Sequence, residues 1–217
     1  MTLHRLALWI AGGLLCAAIA GCATYDKPLS PALFPPAAAA ATRDPARVVL
    51  VLADRDQHYR SPRQSGYLFE IGLPIGRIVE AAGLRALAAE FEHVAGADAP
   101  ADPRALQLRV DDVSASVHSR FVYFIPLGPI PLNRVDLKTR VAFTIRLLAP
   151  DGSTRWSQRG DSGEELLVPR RQGLFVVEAP SDGAQRAVHE QAARLMQAAA
   201  RDLRTWLEQE QRRERVL

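Results

Sequence analysis

Apolar and polar residues alternate most clearly between Val135 and Leu147. Odd positions there are Val135, Leu137, Thr139, Val141, Phe143, Ile145 and Leu147, and even positions are Asp136, Lys138, Arg140, Ala142, Thr144 and Arg146. Successive strand side chains point to opposite faces, so this pattern predicts a long strand with one buried and one wet face. Upstream, Leu106, Leu108 and Val110 keep one parity, whereas Val113, Ala115 and Val117 keep the other. The phase slips at Asp111-Asp112, which predicts a β-bulge. Asp151-Gly152 predicts a tight hairpin leading into a strand over residues 153–158 that carries Trp156. Near the start, Val48 to Leu52 is a continuous apolar run that predicts a strand buried on both faces. A polar loop over 54–65 follows, then a short strand at Tyr67–Ile71; a further short strand is predicted at Leu174–Val177.

Helical spacing appears twice. Ile78, Val79, Ala82, Ala86, Leu87, Phe91 and Val94 predict a helix over about 75–94, ended by Gly96. Gly83 inside it costs roughly 1 kcal/mol or marks a close packing contact. The chain closes with a long helix whose apolar stripe is Ala184, Val188, Ala192, Leu195, Ala199, Leu203 and Trp206. Ser181 is its expected N-cap, Asp182 suits the positive end of the dipole, and Arg212 and Arg213 suit the negative end. Two helices among meandering strands predict an α+β two-layer sandwich, an antiparallel sheet with both helices packed on one face.

The first residues break from these patterns. His4 and Arg5 precede an apolar run from Leu6 to Ile19, which stops at Ala20-Gly21-Cys22. The run is too short to span a bilayer and ends in small residues, as a secretory signal peptide does. Ile19-Ala20-Gly21-Cys22 resembles the lipobox of bacterial lipoproteins. That resemblance implies that residues 1–21 are removed and that Cys22 receives a diacylglycerol and an N-acyl chain, a firm membrane anchor. Residue 23 is Ala. Lipoproteins retained at the inner membrane commonly carry aspartate there, so the resemblance implies the periplasmic face of the outer membrane. Residues 22–46, with Pro28, Pro31, Pro35, Pro36 and five consecutive alanines, predict a semi-extended tether. Residues 47–217 are then a single periplasmic domain.

Composition removes several classes of function. The chain has 217 residues, 48% hydrophobic and 24% charged, within the globular range. Its net charge of +3 is spread along the chain and comes almost entirely from arginine, unlike the clustered basic face that nucleic acid requires. The two cysteines are Cys16, in the discarded segment, and Cys22. No thiol is left for a disulfide, a metal or nucleophilic catalysis. His58, His93, His118 and His189 show no metal-ligand spacing, and His93 and His189 are expected on solvated helix positions. No Gly-x-Ser-x-Gly, phosphate-binding or dinucleotide-binding glycine motif occurs. Asp111-Asp112 and Asp161/Glu164/Glu165 are the only acidic groupings that could suggest acid–base work. They read as a bulge and a charged strand end, since adjacent strand residues point apart. The expectation is a non-catalytic protein without metal or cofactor.

One segment is anomalous. Phe121, Val122, Tyr123, Phe124, Ile125, Pro126, Leu127, Gly128, Pro129, Ile130, Pro131 and Leu132 lie between two predicted strands with no charge among them. Connections are normally polar. An apolar, proline-stiffened connection either folds back to cap the sandwich or contacts a membrane or a partner's groove. For the second role the contact residues are Phe121, Tyr123, Phe124, Ile125, Leu127, Ile130 and Leu132.

With lipobox, tether, the helix after Pro74-Ile75-Gly76, bulged strand and hairpin together, the chain resembles small proteobacterial outer-membrane lipoproteins. It is similar in organisation to the YajG-like and ABC-transport auxiliary lipoproteins. The resemblance implies an accessory role in the envelope with a protein partner and no catalytic residues to carry over. An auxiliary subunit of a lipid or lipopolysaccharide transport system would show an elongated apolar groove between helices and sheet. An envelope-polymer hydrolase would need a polar cleft with converging carboxylates or a Ser–His pair.

Overall fold

The computed structural model describes residues 23–26, 43–61, 69–100, 102–121, 134–169 and 178–215. In chain order the elements are β1 (Ala23–Asp26), β2 (Asp44–Leu52), α1 (Asp54–Gln57), β3 (Phe69–Gly72) and α2 (Ile75–Glu90). They continue with β4 (Phe91–Gly96), β5 (Leu106–Phe121), β6 (Arg134–Leu148), β7 (Thr154–Pro169) and α3 (Glu178–Glu214). The α+β two-layer arrangement is as expected: five strands in the order β4-β2-β5-β6-β7, with α2 and α3 packed on the sheet and on each other.

The sheet is mixed rather than wholly antiparallel. β5, β6 and β7 form the predicted antiparallel meander, but β2 pairs in parallel with both β4 and β5. The parallel part arises because the helix predicted over about 75–94 is two elements. α2 stops at Glu90, and Phe91, with φ −121° and ψ 147°, turns directly into β4. Phe91 and Val94 fit a helical stripe and a strand equally well, and pairing of 91–96 with β2 decides between them. β2 is likewise not dry on both faces. Val48, Leu50 and Leu52 are buried under the helices, whereas Val49 and Val51 are half-buried on the other side. The polar stretch after β2 contains the single turn α1, and β3 falls at 69–72; residues 62–68 lie outside the described residues, as do 174–177.

The period-two pattern of β6 is realised. Leu137, Thr139, Val141, Phe143, Ile145 and Leu147 are buried, and Lys138 and Arg140 are exposed. The bulge is also where the phase slip puts it: pairing with β6 shifts between Asp111 and Ser114, and Asp112 takes φ 56°. At the hairpin, Gly152 N–H donates to the Ala149 carbonyl, and Gly152 at φ 80° takes the left-handed position that favours glycine. β7 runs to Pro169, far past residue 158. Its inward positions include Gln158, Ser162 and Glu164, so it has little apolar signal and is held by β6 and by polar bonds to α3.

α3 has 37 residues and begins at Glu178, so Ser181 lies inside it; Pro180 is tolerated in a first turn, where no intrahelical N–H partner is lost. Its stripe packs as expected, with Ala184, Val188, Ala192, Ala199 and Leu203 buried and Leu195 and Trp206 at the margin. At about 1.5 Å per residue the helix is ~55 Å long, comparable to the ~50 Å of a 16-residue strand, and it packs on β6, β7 and α2. Gly83 marks a close contact: a Cβ there would stand 2.7 Å from Leu50 Cδ2 and 3.3 Å from Met196 Cε, where α2, β2 and α3 meet.

Candidate functional site

Of the residues singled out by sequence, Cys22 and the stretch from Tyr123 to Leu132 lie outside the described residues. Their borders are described. β1 starts at Ala23, immediately after Cys22, and pairs in parallel with β3, Ala23 opposite Phe69 and Asp26 opposite Gly72. Residues 23–26 are therefore strand within the span expected to be tether, and β2 begins at Asp44, ahead of the expected domain boundary at 47. Arg60 donates to the Gly72 carbonyl, and the neighbouring Tyr59 bonds Ala115 on β5. The strand that follows Cys22 is thus linked to the half of β5 that runs on beyond β2. The same half ends at Phe121, paired with Val135, where the apolar connection begins.

The bulge gathers the densest charge cluster among the described residues. Because it shifts the phase by one, both Asp111 and Asp112 project from the sheet face opposite the helices, although adjacent residues of a regular strand point apart. Arg109 Nε donates to Asp111 Oδ1 at 2.8 Å. Arg146 places Nη1 3.6 Å from Asp111 Oδ2 and Nη2 3.8 Å from Asp112 Oδ2. Arg55 of α1 pairs with Asp112 and also approaches the buried Asp56, 3.8 Å away. Each carboxylate is engaged by arginine from a different element, so the cluster ties α1, β5 and β6 together. Asp111 is only 6% exposed, and its charge is balanced by both Arg109 and Arg146. The sequence marks the bulge, but the three arginines are 54 and 37 positions apart in order along the chain, and only pairing unites them.

The acidic group on β7 is also arranged by strand geometry. Asp161 and Glu165 face outward and pair with β6: Arg140 Nε and Nη2 grip Asp161 at 2.8 and 2.5 Å, and Lys138 lies 3.1 Å from Glu165. Glu164 faces the helices and takes Arg194 of α3 at 2.9 Å. These three acids lie within the strand, not at its end, and do not converge. The Arg140 hydrogen bonds hold the Asp161 carboxyl below the usual carboxylate range.

A shallow cleft of about 430 Å³ lies where β2 and β4 meet the connection into β5. Arg47, Glu92, His93 and Asp102 supply its polar groups. Arg47 Nη1 donates to Asp102 Oδ2 at 2.8 Å, and that bond, aided by the Arg104 N–H, lowers the Asp102 pKa. His93 is exposed on β4 rather than at a helix end. His189 is half-buried, not on a solvated face; burial lowers its pKa, and Arg85 of α2 adds to the effect. Among the described residues no group of three His, Cys, Asp or Glu is placed to hold a metal ion, and no helix is long and apolar enough to cross a membrane.

Among the described residues, one apolar void between helices and sheet is small. The apolar void bounded by Leu50, Leu108, Ile145, Trp156, Met196 and Leu203 measures about 10 Å³, less than one water molecule needs. A buried polar contact crosses the layer: Gln191, fully buried on α3, donates to Thr139 Oγ1 at 2.6 Å.

No protein-family model matches the chain, and no curated protein matches it. Among solved structures, a protein from Caulobacter crescentus described as a lipoprotein is 20% identical, with 71% of this chain and 93% of that chain covered at a TM-score of 0.38. Rare lipoprotein B from Shewanella oneidensis is also 20% identical, covering 76% and 98% at a TM-score of 0.34. A Helicobacter pylori protein described as a neuraminyllactose-binding hemagglutinin homolog is 13% identical over 85% of this chain and 98% of that one, at a TM-score of 0.50. At that score and identity the likeness is one of fold.

Proposed function

We propose that this chain is a lipid-anchored accessory protein of the cell envelope, attached through Cys22 and acting by contact with a partner rather than by catalysis. The observation that carries the reading is Ile19-Ala20-Gly21-Cys22 at the end of a short apolar run. The thiol is the nucleophile that lipid transfer requires, and the small residues before it suit a peptidase cleft. Ala23, in place of aspartate, favours the outer membrane. The pairing of β1 with β3 supports a short leash, because ordered strand follows the anchor directly. The apolar stretch from Phe121 to Leu132 leaves the half of β5 to which β1 and β3 are linked, and its Phe121, Tyr123, Phe124, Ile125, Leu127, Ile130 and Leu132 are the proposed contact residues for partner or membrane.

A subunit carrying a lipid between its layers is less well supported. Such a role calls for an elongated groove, whereas the apolar void bounded by Leu50, Leu108, Ile145, Trp156, Met196 and Leu203 measures about 10 Å³. Likeness to YajG-like or transport auxiliary proteins therefore bears on organisation, and the work is assigned to the surface.

The test compares the full chain with Cys22→Ala in cells fed labelled palmitate, followed by crosslinking and pull-down from envelopes. Label on the wild type alone, with specific envelope proteins recovered only from it, supports the reading. Label on neither form removes the anchor and the proposal with it. Label without any specific partner leaves a purely structural lipoprotein and overturns the accessory role.

A further inference from the structure

β7 is the outer strand of the five-stranded sheet, and among the described residues no strand pairs with its free edge. Such an edge carries a row of unpaired N–H and C=O groups and is a template for another strand. From Thr154 to Leu166 none of its residues is buried. Its exposed positions have a polar order: Arg155 and Arg159 precede Gly160, and Asp161 and Glu165 follow it. A parallel copy would set like charge against like. An antiparallel copy related by a two-fold axis through Gly160 sets Arg159 against Asp161 of the second copy and Ser157 against its Gly163, each contact occurring twice, while Arg155, at the register shift opposite Leu147 and Leu148, lies over the Trp206 ring of α3.

Three further observations fit that axis. Arg159 is exposed and forms no close ion pair among the described residues, although its charge already acts on Asp161 two residues along its own strand. Asp161 keeps Arg140 on its inner side and would gain Arg159 from across the seam. On the helix side, the half-buried Leu195 of α3 lies over Gly160, its Cβ 3.3 Å from where a Gly160 Cβ would stand. A two-fold axis there brings Leu195 against its own copy and covers an apolar side chain. The interface is isologous and closes at two copies, as the common cyclic dimers do.

We infer that the free edge of β7 is a self-association surface, pairing antiparallel with a second copy of this chain about Gly160. The experiment is sedimentation equilibrium of the full chain in a density-matched neutral detergent, at several protein-to-micelle ratios, with circular dichroism to verify folding. The wild type is expected to be a dimer independent of that ratio. Arg159→Asp opposes two aspartates at each crossing and is expected to weaken dimerisation by roughly 100-fold, since like charges across an interface are strongly disfavoured. Arg159→Asp combined with Asp161→Arg restores opposite charges and is expected to recover the dimer. A monomeric wild type overturns the inference, as does a dimer that Arg159→Asp leaves unchanged. Failure of the charge swap to recover the dimer overturns the Gly160 register.

Discussion

Tyr59 and Ala115 form a strand-like pair made by a side chain. The Tyr59 hydroxyl accepts from the Ala115 N–H at 3.3 Å and donates to the Ala115 carbonyl at 3.4 Å. β2 pairs with β5 only as far as Val110, and the phenol bonds β5 backbone beyond the bulge, which β2 does not reach. Tyr59→Phe removes both bonds and leaves the ring in place. It is expected to destabilise the protein by about 1–2 kcal/mol, with an unchanged m-value in urea. A cost near zero would mean that water replaces the hydroxyl without loss.

Gly76 is required by contact. A Cβ there would stand 2.1 Å from the Asp56 carbonyl oxygen and 2.5 Å from that of Gln57, both rigid backbone. Gly76→Ala normally favours a helix by up to about 1 kcal/mol, but here α1 must move away from the start of α2. A net loss of roughly 2–3 kcal/mol is expected from the overpacking, measured by thermal or urea unfolding. A stabilised Gly76→Ala protein would show that α1 yields freely.

The Gln191–Thr139 bond joins α3 to β6 inside the dry layer. Thr139→Val strips the partner from a buried amide whose Oε1 already lacks one, at an expected cost of about 1–3 kcal/mol. Thr139→Val with Gln191→Leu removes both polar groups and is expected to return to within about 0.5 kcal/mol of wild type. A double-mutant cycle measures this directly, and additive losses would contradict a coupled pair.

Two pH windows should be visible in stability. Burial holds the His189 pKa below its unfolded value of about 6.5, so the unfolded chain binds the proton first. Stability from this group is complete above that value and falls as pH drops below it toward the folded pKa. Asp161 and Asp102 have lowered folded pKa values, because of the Arg140 and Arg47 hydrogen bonds respectively. Their contribution is present above about pH 4, the unfolded value, and is lost as pH falls through the folded one. Urea midpoints measured from pH 8 to pH 3 should show both slopes. His189→Gln should flatten the upper slope only, and added salt should reduce the lower one, because those pairs are exposed.

The sequence made the meander legible because β5 and β6 each bury one face, and a half-buried strand must alternate. Even the bulge is legible: one extra residue reverses parity, and parity can be read from Val110 and Val113. β7 is legible only at Trp156, since Gln158, Ser162 and Glu164 point inward and break the alternation, Gln158 and Glu164 with polar partners on α3. The ion cluster at the bulge shows least in sequence. Arg55, Arg109 and Arg146 lie on α1, β5 and β6, and nothing along the chain links them.

By itself, then, the sequence determined what is local: the two-faced strand β6, the phase slip at Asp111-Asp112, the turn at Gly152 and the apolar stripe of α3, beside the lipobox-like run Ile19-Ala20-Gly21-Cys22. Periodicity and short motifs are properties of neighbours along the chain. Tertiary structure decided that 91–96 leaves the helix for a strand, because only β2 offers its backbone a parallel partner. It also decided that Val49 and Val51 face outward, that both aspartates of the bulge share one face, and that among the described residues β7 ends the sheet with no strand on its outer edge. Each of these depends on which strand lies alongside another, a relation between residues tens of positions apart that no local pattern encodes.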